Sequence, residues 1–297
     1  SSTFTFDNTK PLSGLTTPYA DYHREILELR GTASDETAGV KKVEIAISSA
    51  PGFSSYWNKS DFVPGTTYWI DTKLSGSKPD YVFSSTDVVS WVHGIQYRIV
   101  ARAEDNSLPV NVREPSAERY FTYDIGKPTS VVNSPVNGSF VRSLTEITGT
   151  ALDSPAGVNE LSYAVGEEDT GMWWNGSTFS VTEPSAKWST ATFSGGIWRW
   201  TSPPPLQDGY KYRVKSKAKD NAGNEEVPSS GITFTFDLSS PTAKVNLPLD
   251  LEHYGGKLKP LPVVSGTAYD LVGSSKVVVS IKEYDPAGLW WNGSTFT

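Results

Sequence analysis

The chain has 297 residues, 33 acidic against 26 basic side chains, a net charge of −7 and no cysteine. This excludes disulfide staples and thiolate chemistry, and with no basic run longer than two residues it excludes a phosphate-binding surface for nucleic acid. No apolar stretch approaches the roughly 20 residues of a bilayer-spanning helix, and the single Met, at position 172, makes the chain read as a stretch cut from a longer polypeptide.

In chain order, the first strand signal is Phe4-Thr5-Phe6-Asp7. Tyr81-Val82-Phe83 and Tyr97-Arg98-Ile99-Val100-Ala101-Arg102-Ala103 follow, each with an inward apolar set. Leu144-Thr145-Glu146-Ile147-Thr148-Gly149-Thr150 and Leu161-Ser162-Tyr163-Ala164-Val165 come next, then Trp198-Arg199-Trp200 with two large inward residues. Alternation is clearest from Tyr210 to Lys219, where even positions are apolar or small and odd positions are basic. Such a strand has one buried and one wet face. Ile232-Thr233-Phe234-Thr235-Phe236 is another. Turn signals separate the strands: Asn137-Gly138, Pro155-Ala156-Gly157, Asn175-Gly176, Gly195-Gly196, Asp208-Gly209 and Ala222-Gly223. No segment carries a helical stripe.

Three phrases recur at an interval of about 117 residues. Tyr56-Trp57-Asn58 returns as Trp173-Trp174-Asn175 and Trp290-Trp291-Asn292. Gly31-Thr32-Ala33-Ser34-Asp35 returns as Gly149-Thr150-Ala151-Leu152-Asp153 and Gly266-Thr267-Ala268-Tyr269-Asp270. Phe4-Thr5-Phe6-Asp7 returns as Phe121-Thr122-Tyr123-Asp124 and Phe234-Thr235-Phe236-Asp237. The period is too long for a solenoid unit and suits a whole domain repeated in tandem. We expect residues 1–7 to be the last strand of a preceding repeat, 8–124 and 125–237 to be complete repeats, and 238–297 the first half of another. Seven or eight short strands per repeat predict an all-β chain of tandem Ig-like antiparallel β-sandwich domains in an extended array.

The order of motifs within each repeat carries a family resemblance. Gly-Thr-Ala-x-Asp leads to Ala156-Gly157-Val158, an aromatic-Asn-Gly hairpin and Asp208-Gly209-x-x-Tyr212. Asp220-Asn221-Ala222-Gly223-Asn224 and a closing Phe-Thr-Phe-Asp complete it. The whole resembles the bacterial Ig-like repeats of large cell-surface and adhesin proteins. The first repeat departs from the pattern, with Asp105-Asn106-Ser107-Leu108-Pro109 in place of Asp-Asn-Ala-Gly-Asn. The resemblance implies a non-catalytic structural or adhesive region of an extracellular surface protein. It would act as stalk, filament or envelope-assembly element, with neighbouring copies, other surface proteins or glycans as partners. A carbohydrate-binding module array attached to a remote functional domain is the alternative. No enzyme is expected: His23, His93 and His253 fall at non-equivalent places in the repeats, and no nucleophile, zincin or phosphate-loop motif is present.

Three sets of residues stand out as candidate sites. In a sandwich of Ig type the loop after the second strand, the loop before the last strand and the incoming linker share one end. Asp124, Asp153, Asp220, Asn221 and Asn224 therefore meet there as hard oxygen donors of the kind Ca²⁺ takes in sixes to eights. The resemblance to calcium-rigidified adhesin arrays implies an ion that locks the interdomain angle. Turn chemistry, in which Asp and Asn accept bonds from nearby backbone N–H groups, is the simpler explanation of the same residues. Asn58, Asn137, Asn175 and Asn292 begin Asn-x-Ser sequons open to N-glycosylation, although Asn-Gly is also the preferred centre of a two-residue hairpin in which both residues take positive φ. Adjacent aromatics on a strand face opposite ways, so one of each pair should lie in the core. Trp57, Trp174 and Trp291 are the candidates for contact with a sugar or a protein, against the simpler expectation of cross-strand packing.

Overall fold

The computed structural model describes residues 2–297 apart from 88, 114, 116, 117, 184, 185, 251, 255–260, 274, 275, 284–287 and 296. The expected leading strand 1–7 and half repeat 238–297 thus lie partly outside the described residues. Among those described there is no α-helix. The first block contains β1 (Leu12–Thr17), β2 (Tyr22–His23), β3 (Leu29–Ser34), β4 (Val40–Ser49), β5 (Ser55–Trp57), β6 (Phe62–Pro64), β7 (Ile70–Asp71), β8 (Lys73–Ser77), β9 (Asp80–Ser85), β10 (Gln96–Asp105) and β11 (Arg119–Tyr123). The second contains β12 (Thr129–Ser134), β13 (Ser139–Val141), β14 (Ile147–Leu152), β15 (Val158–Glu167), β16 (Trp173–Trp174), β17 (Phe179–Val181), β18 (Ser189–Thr190), β19 (Thr192–Ser194), β20 (Ile197–Trp200), β21 (Lys211–Asp220) and β22 (Ile232–Phe236). β23 (Thr242–Leu247) and β24 (Ser265–Tyr269) follow.

The two blocks have one topology. A four-stranded sheet, β1-β3-β9-β8, faces a sheet ordered β2-β11-β10-β4-β5-β6 with β7 beside β4. The second block repeats this as β12-β14-β20-β19 against β13-β22-β21-β15-β16-β17 with β18 beside β15. Ladders are antiparallel except that β2 runs parallel to β11 and β13 parallel to β22. The chain enters one sheet, slips register between Leu15 and Thr17 or between Val132 and Ser134, and crosses to the edge of the other. That break, with the edge hairpin β5–β6, yields more short strands than the alternation predicts. β23 and β24 reproduce the opening pair: Thr242 faces Tyr269 as Thr129 faces Leu152, and the same register slip separates Val245 from Leu247.

Each block buries its own interior. Leu15, Ile45, Ile47, Phe83, Tyr97, Ile99 and Phe121 belong to one apolar cluster, and Ile147, Leu161, Trp198, Trp200, Tyr212, Val214 and Phe234 to another, with no residue shared. The even positions of β21 point inward as the alternation requires, and its odd positions carry the wet face. There Arg213 makes a forked pair with Glu168, and Lys217 lies 4.9 Å from the ring centre of Trp188. In the first block Arg102 lies 4.1 Å over Trp69 at the matching place.

Two details show why the motif residues are what they are. The Tyr97 and Tyr212 hydroxyls accept the N–H groups of Val92 and Gln207, at 2.9 and 2.8 Å, tying the strand to the loop that enters it. This is the corner that Ig-type sandwiches make with a tyrosine near the start of that strand. The Gly of Gly-Thr-Ala-x-Asp sits where two strands and a ring crowd together. A Cβ on Gly149 would lie 1.9 Å from the Val131 carbonyl oxygen and 2.4 Å from Trp198 Nε1. On Gly31 it would lie 2.2 Å from both the Gly14 oxygen and the Phe83 ring. Trp198 is fully buried over Gly149 and its indole N–H reaches the Val131 oxygen at 3.1 Å.

Candidate cation site at the module junction

β11 delivers Asp124 out of the first block and into the second. Its backbone N–H stays with the first block, donating to the His23 carbonyl at 2.9 Å. Its side chain turns the other way: Oδ2 accepts the Ala156 N–H at 3.0 Å, and Oδ1 accepts the Gly126 N–H at 2.8 Å. The loop after β14 brings in Asp153, whose Oδ2 accepts the Gly157 N–H at 2.9 Å. β21 ends on Asp220, whose two oxygens accept the backbone and side-chain N–H groups of Asn224, each at 2.8 Å. Carboxylate oxygens of Asp124, Asp153 and Asp220 all lie within 4.8 Å of one another, and Asp124 and Asp220 are buried.

The three predicted carboxylates therefore meet, and the two predicted asparagines do not join them as ligands. Asn224 turns its Nδ2 to Asp220 Oδ2 and to the Asp124 carbonyl, at 2.8 and 2.9 Å. Asn221 turns its Nδ2 to the carbonyls of Ala156 and Gly157. As donors they hold the loops in place; an oxygen ligand would have to present the other end of the amide.

A second triad was missed by sequence reasoning. Asp7, Asp35 and Asp105 also bring carboxylate oxygens within 4.8 Å of one another. Asp7 accepts the Ala38 N–H at 2.9 Å, Asp35 the Gly39 N–H at 2.6 Å, and Asp105 both N–H groups of Asn111, at 3.0 and 2.9 Å. Asn111 does here what Asn224 does in the second block, down to the bond from its Nδ2 to the carbonyl of Asp7 at 3.3 Å. The longer loop Asn106-Ser107-Leu108-Pro109-Val110 displaces that Asn from its motif position and hides it. The signal available was the recurrence of Asp7 and Asp35 at the ends of their own phrases.

Charge is not balanced locally at these sites. Among the described residues no Lys or Arg comes within ion-pair distance of any of the six carboxylates, and the one basic neighbour is His93, whose Nδ1 lies 3.2 Å from Asp124 Oδ1. Burial, followed by the charges of Asp124 and Asp220, raises the Asp153 carboxyl above its ordinary range. In the first block burial opposes ionisation of Asp105 as well, yet the bonds from Ser107 and Asn111 prevail and hold it below the ordinary range. Bonds from Thr9 lower Asp7 likewise. Carboxylates crowded together and partly buried favour a proton or a cation among them. An all-oxygen set carrying three negative charges fits a hard divalent ion such as Ca²⁺. Asp124, Asp153 and Asp220 would hold it, with Asp7, Asp35 and Asp105 as the second set, and the ion would bind the incoming linker to both loops of the module it enters.

Further contacts cross the junction. Arg24 of the first block donates to the Gly223 carbonyl of the second at 2.9 Å. At the next junction Asp208 Oδ1 accepts the Leu238 N–H at 2.6 Å, while among the described residues Asp237 and Asp270, the recurrent motif acids, accept from residues close by in sequence.

The aromatic and Asn candidates resolve differently. Trp57 is only 3 % exposed and packs against Phe62, so it offers no surface to a ligand and its assignment as a contact residue is corrected. In the first block β5 and β6 pair in register, Trp57 facing Phe62; in the second a bulge separates Trp173 from Trp174, leaving Trp173 buried and Trp174 half-buried. Trp291 is 42 % exposed. The hairpin is also not the two-residue turn expected. Asn58, Asn175 and Asn292 each donate a backbone N–H to the carbonyl three residues on, at 3.1, 3.0 and 3.1 Å. Each Oδ1 caps the turn by accepting the next two free N–H groups at 2.8–2.9 Å. Only the second position takes positive φ: Lys59 at 78°, Gly176 at 105° and Gly293 at 103°. Asn137 instead accepts the Thr233 N–H at 2.9 Å, joining the crossover to β22.

Lys59 thus holds a conformation that is strained for a side chain with a Cβ. Lys59→Gly is expected to stabilise the first module by about 0.5–1 kcal/mol, because the relieved strain outweighs the added freedom of the unfolded chain. The exposed ion pair lost with it, Lys59 to Asp87 at 3.4 Å, is of the class that contributes little. A denaturation midpoint that falls on substitution would contradict this reading of the turn.

No protein-family model matches the chain, and no curated protein matches it. Among solved structures it is similar to the fibronectin(III)-like modules of Clostridium thermocellum CbhA, with 15 % identity over 76 % of this chain and 94 % of that one and a TM-score of 0.34. It is also similar to dimeric latent PorU from Porphyromonas gingivalis, with 14 % identity over 80 % of this chain and a TM-score of 0.23. The match spans 25 % of that chain.

Proposed function

We propose that this chain is a run of non-catalytic β-sandwich modules that acts as a spacer or stalk in an extracellular surface protein, with Ca²⁺ stiffening the joints between modules. The observation that carries the reading is the Asp124 triad. One of its carboxylates belongs to the strand leaving the first module and two belong to loops of the second, so an ion held there resists bending at the joint. The same arrangement at Asp7, Asp35 and Asp105 supports a device used at successive joints. Separate cores let each module fold alone, while short linkers and the Arg24–Gly223 bond pass load across the joint. Neighbouring modules and other surface proteins are the partners this implies. A glycan-binding array would need an exposed ring in every repeat, and the burial of Trp57 speaks against that alternative. The test is thermal melting in Ca²⁺ and in chelator: a higher transition with Ca²⁺ supports the joint, and coincident curves remove the ion from the account.

A further inference from the structure

The Asn residues of the four sequons sit beside very different backbone groups. Asn175 and Asn292 are exposed and followed by Gly, and the N–H of Gly176 and of Gly293 has no acceptor among the described residues. Asn137 is also followed by Gly, but the Gly138 N–H is bonded to the Thr233 carbonyl at 2.7 Å. Asn58 is followed by Lys59, which carries a Cβ where the other three sequons have glycine.

We propose that Asn175 and Asn292 are sites of spontaneous deamidation, that the fold protects Asn137, and that the Lys after it protects Asn58. The step begins when solvent base removes the Gly176 amide proton and the nitrogen attacks Asn175 Cγ, closing a five-membered ring. The N–H groups of Ser177 and Thr178, at 2.8 and 2.9 Å from Oδ1, stand where the tetrahedral oxyanion develops, as oxyanion-hole donors do. Nδ2 takes a proton and leaves as ammonia. Water then opens the cyclic imide at either carbonyl, leaving aspartate or isoaspartate, so one carboxamide and one water become one carboxylic acid and one ammonia. The Asn292 turn offers the same two donors, each at 2.9 Å.

The second repeat adds a cation. Lys187 Nζ lies 2.7 Å from the point a Cβ on Gly176 would occupy, close enough to favour both the deprotonated amide and the new carboxylate. Among the described residues nothing lies within 4 Å of the corresponding point on Gly293. Conversion would place a negative charge at the tip of the β16–β17 hairpin, and isoaspartate would also lengthen the turn backbone and break the Asn175–Thr178 bond.

The test incubates the full chain in mildly alkaline buffer, folded and in denaturant, and follows the four Asn peptides by mass. Asn175 and Asn292 should convert in the folded chain, Asn137 only in denaturant, and Asn58 more slowly than Asn175 in both. Lys187→Gln should slow Asn175 relative to Asn292 by about threefold, the scale of an exposed charge contact. Folded Asn175 converting no faster than folded Asn137, or far more slowly than in denaturant, would overturn the proposal, since the capped turn would then protect the site.

Discussion

Gly149→Ala is expected to destabilise the second module by about 3 kcal/mol, the upper part of the range for forcing a methyl into a packed site. The added Cβ would fall 1.9 Å from a backbone oxygen of β12 rather than against the flexible end of a side chain. Relief requires β12 to move off β14 or the fully buried Trp198 to leave its place, and each exposes more of the core. Against a total of roughly 5–15 kcal/mol for a domain, the loss is large, equivalent to a fall in melting temperature on the order of 15 °C for a domain of this size. The first module has its own core and should melt where it did, so calorimetry should resolve two transitions with only one displaced. A shift below about 1 kcal/mol, or one shared by both transitions, would mean the sheets yield more easily or the modules are less independent than their packing indicates.

The second large effect is the response to Ca²⁺. An ion binding only the folded chain stabilises by about 2.7 kcal/mol at a hundred times its dissociation constant. Asp153 tells this apart from nonspecific salt effects. Its folded carboxyl is raised above the ordinary value of 3.8 by burial and by Asp124 and Asp220, so the folded state holds a proton more tightly than the unfolded chain. Without an ion, this group's contribution to stability is greatest at low pH and declines as pH rises from 3.8 through the raised value. Asp153→Asn removes the repulsion while keeping an acceptor for the Gly157 N–H. In chelator at neutral pH the variant should melt no lower than the parent, and Ca²⁺ should no longer raise its transition. A variant that loses stability in chelator and still responds to Ca²⁺ would reduce the cluster to hydrogen-bonded turns.

Periodic features were readable because they are set by local physics. Alternation along Tyr210–Lys219 follows from a strand with one wet face, and the recurrent Gly of Gly-Thr-Ala-x-Asp follows from a close approach that excludes a Cβ. The convergence of Asp124, Asp153 and Asp220 was readable because sandwich topology brings those loops to one end. Features that depend on single insertions were not. The longer loop after Asp105 concealed the equivalence of Asn111 and Asn224, and with it the Asp7 triad. The bulge between Trp173 and Trp174 decides which ring is covered, which adjacency in sequence cannot do, and Trp57 was misassigned for that reason. The parallel strands β2 and β13 arise from a chain that changes sheets, a choice made by packing at the edge rather than by local alternation.

The joint itself is tested most directly by small-angle scattering from the two-module stretch of the chain in Ca²⁺ and in chelator. A clamp at Asp124 predicts a narrow spread of intermodule angles with the ion and a broader one without it, with Asp153→Asn behaving as chelated protein in both. Identical scattering in both conditions would contradict a cation-stiffened spacer.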